Sequence, residues 1–104
     1  AFKAKTGRIP SEYAVQGFDS ARALVEAVKA GAKDRASIAA ALPKVSFTGP
    51  RGELKIDPAT NNVVQPIHVY ETVAGADGPT QKVLATLPAE ADPTNGCAMP
   101  APAN

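Results

Sequence analysis

Sulfur, aromatics and histidine are all scarce in this chain. Its 104 residues hold one cysteine, one methionine, one histidine and no tryptophan, and aromatic side chains make up 5%. One thiol cannot close an internal disulfide. Cys97, in the run Asp92-Pro93-Thr94-Asn95-Gly96-Cys97, is expected as a free surface thiol or as half of a disulfide whose partner lies outside this sequence. No cation beside it supports a reactive thiolate. With His68 as the only histidine, a metal site would need Asp, Glu or Cys for every other ligand, and no cluster has ligand spacing. No metal and no cofactor are expected, and His68 reads as a structural residue on a strand face.

An excess of either charge is also missing. Lys and Arg total 11 against 10 Asp and Glu, a formal charge of +1, and the basic residues are scattered without interleaved aromatics. That excludes a field or stacking platform for nucleic acid. No run approaches the ~18–20 apolar residues of a membrane-spanning helix, and Ala1-Phe2-Lys3-Ala4-Lys5 lacks the apolar segment of a signal peptide. Because the first residue is Ala, the expectation is that an N-terminal part has been removed by processing or cleavage. Catalytic patterns are absent too. Gly49-Pro50-Arg51-Gly52 opens no helix and is no phosphate cradle, the Asp57 loop lacks the alternating carboxylates of a calcium loop, and neither Ser46 nor Cys97 sits in a nucleophile elbow. No catalytic residue is expected.

What is present is a helix-then-strand order with clear punctuation. Residues 1–6 read as the last turn of a helix stopped by Gly7. After Arg8-Ile9-Pro10, Ser11 caps a long helix that runs to about Ala30, with Glu12 in its first turn and Gly31 at its close. Ala14, Val15, Phe18, Ala21, Leu24, Val25 and Val28 recur at steps of three and four and form its apolar face. Asp19 with Arg22, and Arg22 with Glu26, are expected as charge pairs on the opposite side. Asp34 caps a shorter helix, Arg35 to Leu42, ended by Pro43.

The period then changes to two. Val45 and Phe47 mark one strand and Leu54 and Ile56 a second, joined by a turn over 48–52 in which Arg51 is expected solvated or paired with Asp57. The segment 57–62 reads as a loop whose side chains cap their own backbone. Residues 63–73 read as the longest strand, with Pro66 indicating an edge or a strand start, and Lys82 to Leu87 as its hairpin partner after a reversal over 74–79. From Pro88 onward proline and alanine dominate, and an irregular or mobile tail is expected.

Tyr13 stands apart because it lies in the first turn of the long helix, where free backbone N–H groups point outward and a pocket can form. It is expected either as an ordinary half-buried aromatic or as a pocket wall, with Gln16 one turn along on the same side.

The ordered set Pro10-Ser11-Glu12-Tyr13-Ala14-Val15-Gln16-Gly17-Phe18-Asp19-Ser20-Ala21-Arg22-Ala23-Leu24, Asp34 to Leu42, Phe47 to Gly52, Ile56-Asp57-Pro58 and Gln65 to Tyr70 resembles the end of Leu/Ile/Val-type periplasmic solute-binding proteins of ABC importers. The resemblance covers residues 1 to about 73. It implies an α/β fold, the C-terminal fragment of a two-lobed type I periplasmic binding protein. Residues 1–62 would belong to the first lobe and 63–87 to a hinge crossing near 62–66 and the terminal strands of the second, with 88–104 as the tail. It also implies an extracytoplasmic location, no enzymatic activity, and a membrane permease as partner. The captured solute would be a branched-chain or other amino acid, or an aromatic acid. The aromatic near the start of the long helix faces the cleft in such proteins, a role that falls on Tyr13. The residues that grip an amino acid's charged groups come from earlier segments, so this chain alone is expected to bind weakly or not at all. It is also expected to associate with itself or with the rest of its own protein through the Phe18, Leu24 and Val28 face. The alternative is a sensor or regulator that uses the same fold.

Overall fold

A computed structural model describes residues 1–93. Helix α1 spans Phe2–Thr6 and ends at Gly7, whose φ of 71° lies in the left-handed region that a side chain disfavours. Helix α2 spans Glu12–Lys29, and the Ser11 hydroxyl accepts the Ala14 N–H at its start. At its end the Gly31 N–H reaches the Val28 carbonyl and the Ala32 N–H the Ala27 carbonyl. These two bonds make a Schellman close around Gly31, at φ 102°. Helix α3, Arg35–Ala41, opens on a reciprocal cap in which Asp34 accepts the Ser37 N–H and the Ser37 hydroxyl accepts the Asp34 N–H. A 3₁₀ turn, Leu42–Lys44, carries Pro43 and leads into the strands.

Strands β1 (Ser46–Gly49), β2 (Gly52–Ile56) and β3 (Val63–Val64) form an antiparallel sheet in the order β1-β2-β3. Between β2 and β3 the Asp57 carboxylate accepts from the Ala59 N–H and the Thr60 hydroxyl, as the loop's composition predicts. Strands β4 (Ile67–Gly75) and β5 (Gly78–Leu87) form a separate hairpin with a bulge at Val69/Tyr70. The single strand expected over 63–73 is therefore two. Gln65-Pro66 interrupts it because Pro66 has no N–H to continue the ladder, so β3 stays with the first sheet and β4 leaves it.

The core is small: Ala23 and Ala27 of α2 meet Val45, Phe47 and Leu54, with Ala41 and Leu42 at the edge. The packed face of α2 is thus not the predicted one. Asp19, Ala23 and Ala27 face the sheet, whereas Phe18, Leu24, Val25 and Val28 are exposed, Phe18 at 53%. Small side chains let the helix sit close to β1, and the large apolar stripe points the other way. Among the described residues the β4–β5 hairpin packs on no other helix or strand. The radius of gyration, 16.8 Å, reflects this projection; a compact domain of about 100 residues has a value near 13 Å.

Candidate functional site

A groove of about 570 Å³ runs between α2 and the sheet, walled by Gln16, Asp19, Leu24, Arg51, Leu54 and Gln65 among others. Its polar centre is an ion pair. Arg51, in the turn between β1 and β2, donates from Nη2 (2.8 Å) and Nε (3.2 Å) to one oxygen, Oδ2, of Asp19. Asp19 is 4% exposed, so this carboxylate has been taken out of water and depends on its partner. Its other oxygen, Oδ1, is buried and, among the described residues, has no hydrogen-bond donor, as is the case for Oε1 of Gln65. Gly49 makes the close approach possible, since a Cβ there would lie 2.7 Å from Asp19 Oδ1.

This pair corrects two expectations. Arg51 is neither free nor paired with Asp57, and Asp19 does not decorate a solvated face with Arg22. Arg22 keeps its other expected pair, donating to Glu26 at 2.7 Å, and stacks 5.6 Å above the Phe47 ring, while Lys29 also reaches Glu26. These two cations, Arg22 foremost, hold the Glu26 carboxyl below its ordinary value of 4.5. The Ser37 backbone N–H and then its hydroxyl hold Asp34 below its ordinary 3.8.

Tyr13 is 74% exposed at the N-terminal end of α2, more open than the half-buried aromatic the sequence allowed. It is not among the walls of the groove, whereas Gln16 is. The two predicted residues therefore share the end of one helix but not one cavity. Asp19, Arg51 and Gln65 were missed as site residues. The signal that was available is a charged residue at the head of an i, i+4, i+8 stripe with Ala23 and Ala27, a stripe small enough to pack closely.

His68 takes the structural role expected of it. Nε2 bonds the Arg51 carbonyl at 2.9 Å and Nδ1 the Thr86 hydroxyl at 3.0 Å. Among the described residues no group of three or more His, Cys, Asp or Glu side chains could hold a metal, and no helix is long and apolar enough to cross a membrane. Cys97 lies outside the described residues.

Residues 1–79 match the periplasmic binding protein family. No curated protein matches the chain. Among solved structures, a solute-binding protein of an ABC transporter from Rhodopseudomonas palustris BisB5, in complex with 3,4-dihydroxybenzoic acid, is 31% identical. It superposes with a TM-score of 0.80 over 88% of this chain and 26% of its own. A second from R. palustris, in complex with benzoate, is 31% identical with a TM-score of 0.70 over 94% of this chain and 27% of its own. An ABC transporter substrate-binding protein from Sphaerobacter thermophilus is 26% identical, with a TM-score of 0.75 over 84% of this chain and 25% of its own. The chain thus spans about a quarter of the length of the structures it matches, and its helix-then-strand fold is that of type I periplasmic binding proteins. The chain belongs to the periplasmic binding protein family.

Proposed function

We propose that this chain serves, as one part of a two-lobed protein, in the extracytoplasmic capture of a small carboxylated solute for an ABC importer. The observation that carries the reading is the family match over residues 1–79, joined by solved solute-binding proteins that align with 84–94% of the chain. Capture is by binding alone, with no chemistry on the solute. Gln65 and Pro66 form the crossing between lobes, with β1–β3 and the helices on one side and the β4–β5 hairpin on the other.

Tyr13 forms the aromatic wall of the ligand cleft in this reading, with Gln16 beside it. Its 74% exposure leaves the ring free to meet a solute held by the opposite lobe. A tyrosine ring can stack on an aromatic ring or pack on an aliphatic chain, so the ligands of the relatives make an aromatic acid the favoured ligand and a branched-chain amino acid the second. Both R. palustris relatives are complexed with aromatic acids. The exposed Phe18, Val25 and Val28 stripe packs on the remainder of the lobe, or on a second copy when that remainder is missing.

Thermal-shift titration of the two-lobed protein with benzoate, 3,4-dihydroxybenzoate and leucine tests the reading. A saturable rise in midpoint with at least one of them is expected, since a ligand that binds only the folded state stabilises it. No response to any small carboxylate would count against solute capture.

A further inference from the structure

Four residues from separate parts of the fold join in one line of hydrogen bonds across the crossing. Asp19 on α2 accepts the Arg51 guanidinium through Oδ2. The Arg51 carbonyl, in the β1–β2 turn, meets His68 Nε2 at the start of β4. His68 Nδ1 meets the Thr86 hydroxyl on β5, its cross-strand partner. A carbonyl can only accept, so Nε2 carries the hydrogen, and the Thr86 hydroxyl, which can donate or accept, completes the bond at Nδ1. With both ring nitrogens held, the imidazole cannot turn without breaking a bond.

The place of this line gives it significance. Among the described residues the β4–β5 hairpin packs on no other helix or strand. Within the same residues its only other side-chain hydrogen bond to the rest of the chain is the exposed Lys3–Asp77 pair, a kind of contact that contributes little. Pro66 of the crossing lies against Gly52, 3.5 Å from where a Cβ would stand, so the crossing rests on the turn that presents Arg51. At the far end, Asp19 sits two turns into the helix that begins with Tyr13 and Gln16.

We propose that Asp19, Arg51, His68 and Thr86 form a hinge coupler. The line makes the setting of α2, and with it Tyr13 and Gln16, depend on the setting of the hairpin across Gln65-Pro66. These are positioning residues. They act through the helix and the hinge, and the inference rests on the solute-binding reading for its effect on affinity. A ligand that binds one hinge setting better than another then feels any change in the line.

The test is hydrogen exchange on the ligand-free two-lobed protein carrying Asp19→Asn, His68→Ala or both. The coupler predicts that Asp19→Asn speeds exchange beyond the crossing, at residues 67–69 and 85–87, and that His68→Ala speeds it at 49–52 and in the first turns of α2. The double variant should exchange no faster than about twofold beyond the worse single variant, because coupled sites do not add. An Asp19→Asn effect confined to residues before Gln65 overturns the proposal. Arg51→Lys, which keeps the charge and loses the fork, serves the same purpose if Asp19→Asn does not fold.

In calorimetry with benzoate, His68→Ala should weaken binding by about fivefold or more, the lower range of measured couplings, and His68→Gln, which can still donate to the Arg51 carbonyl, should recover most of it. Unchanged affinity in His68→Ala overturns the link to the ligand cleft. If wild type binds none of benzoate, 3,4-dihydroxybenzoate and leucine, the solute-capture reading fails, and the exchange result alone decides the coupler.

Discussion

Asp19 and Arg51 differ in how each would fare without the other. Asp19 is enclosed by α2, Gly49 and the guanidinium, whereas the Arg51 side chain keeps 29% of its surface in solvent. Arg51→Ala leaves a carboxylate sealed from water and should cost about 3–5 kcal/mol. Asp19→Ala leaves a guanidinium that can swing outward, with a cost of about 1.5–3 kcal/mol. Urea unfolding of the two variants checks the order, and an equal or reversed order would show that the carboxylate finds another partner. Glu26 and Asp34 make a second prediction at this scale. Their carboxyls are depressed in the folded state, Glu26 by Arg22 and Lys29 and Asp34 by Ser37, so their stabilisation is complete above the ordinary values of 4.5 and 3.8. It is lost as pH falls through the depressed values. The melting difference between wild type and Glu26→Gln, or Asp34→Asn, should therefore be largest near neutrality and shrink on acidification below about pH 4.

The ends of the elements were legible because they depend on local chemistry. Ser11, Gly31, Asp34 and Pro43 mark helix limits within a residue or two of where they fall, and Gly49 and Gly52 bracket the β1–β2 turn. What α2 packs against was not legible. Periodicity shows that Phe18, Leu24, Val25 and Val28 share a face, but it carries no information on whether the covering surface lies in this chain. Here the sheet takes the small-residue face, and the Asp19–Arg51 pair that secures it joins residues 32 apart, beyond the reach of any local spacing rule. The split of the 63–73 segment had a local cause in Pro66, which had pointed to a strand start without showing that β3 would pair with β2. Ala27→Leu should then cost about 1–3 kcal/mol by overpacking against the sheet, since Ala27 is fully buried. Val28→Ser, one position along on the open face, should stay within about 0.5 kcal/mol in the isolated chain and cost far more in the two-lobed protein. Parallel chemical denaturation of both forms measures the contrast, and equal costs for Val28→Ser in the two would mean that nothing covers the stripe.

At the scale of the whole molecule, the described residues form two sheet-centred units joined at Gln65-Pro66, the first with a minimal core and the second a hairpin on its own. The candidate site follows that division. Tyr13, in the first turn of a long helix, and Gln16, one turn along, are candidates that the sequence alone can name, but the polar line that ties their helix to the hairpin could not be read there, because each of its contacts spans separate elements. The relatives are about four times as long, and a solute held between lobes would meet only part of its surroundings here. The most direct measurement is calorimetric titration of the two-lobed protein, wild type and Tyr13→Ala, with benzoate and with leucine. If Tyr13 walls the cleft, wild type binds at least one of them and Tyr13→Ala weakens that binding by about tenfold or more, the loss of roughly one aromatic contact. Binding that is unchanged in Tyr13→Ala would contradict the placement of this helix end at the ligand.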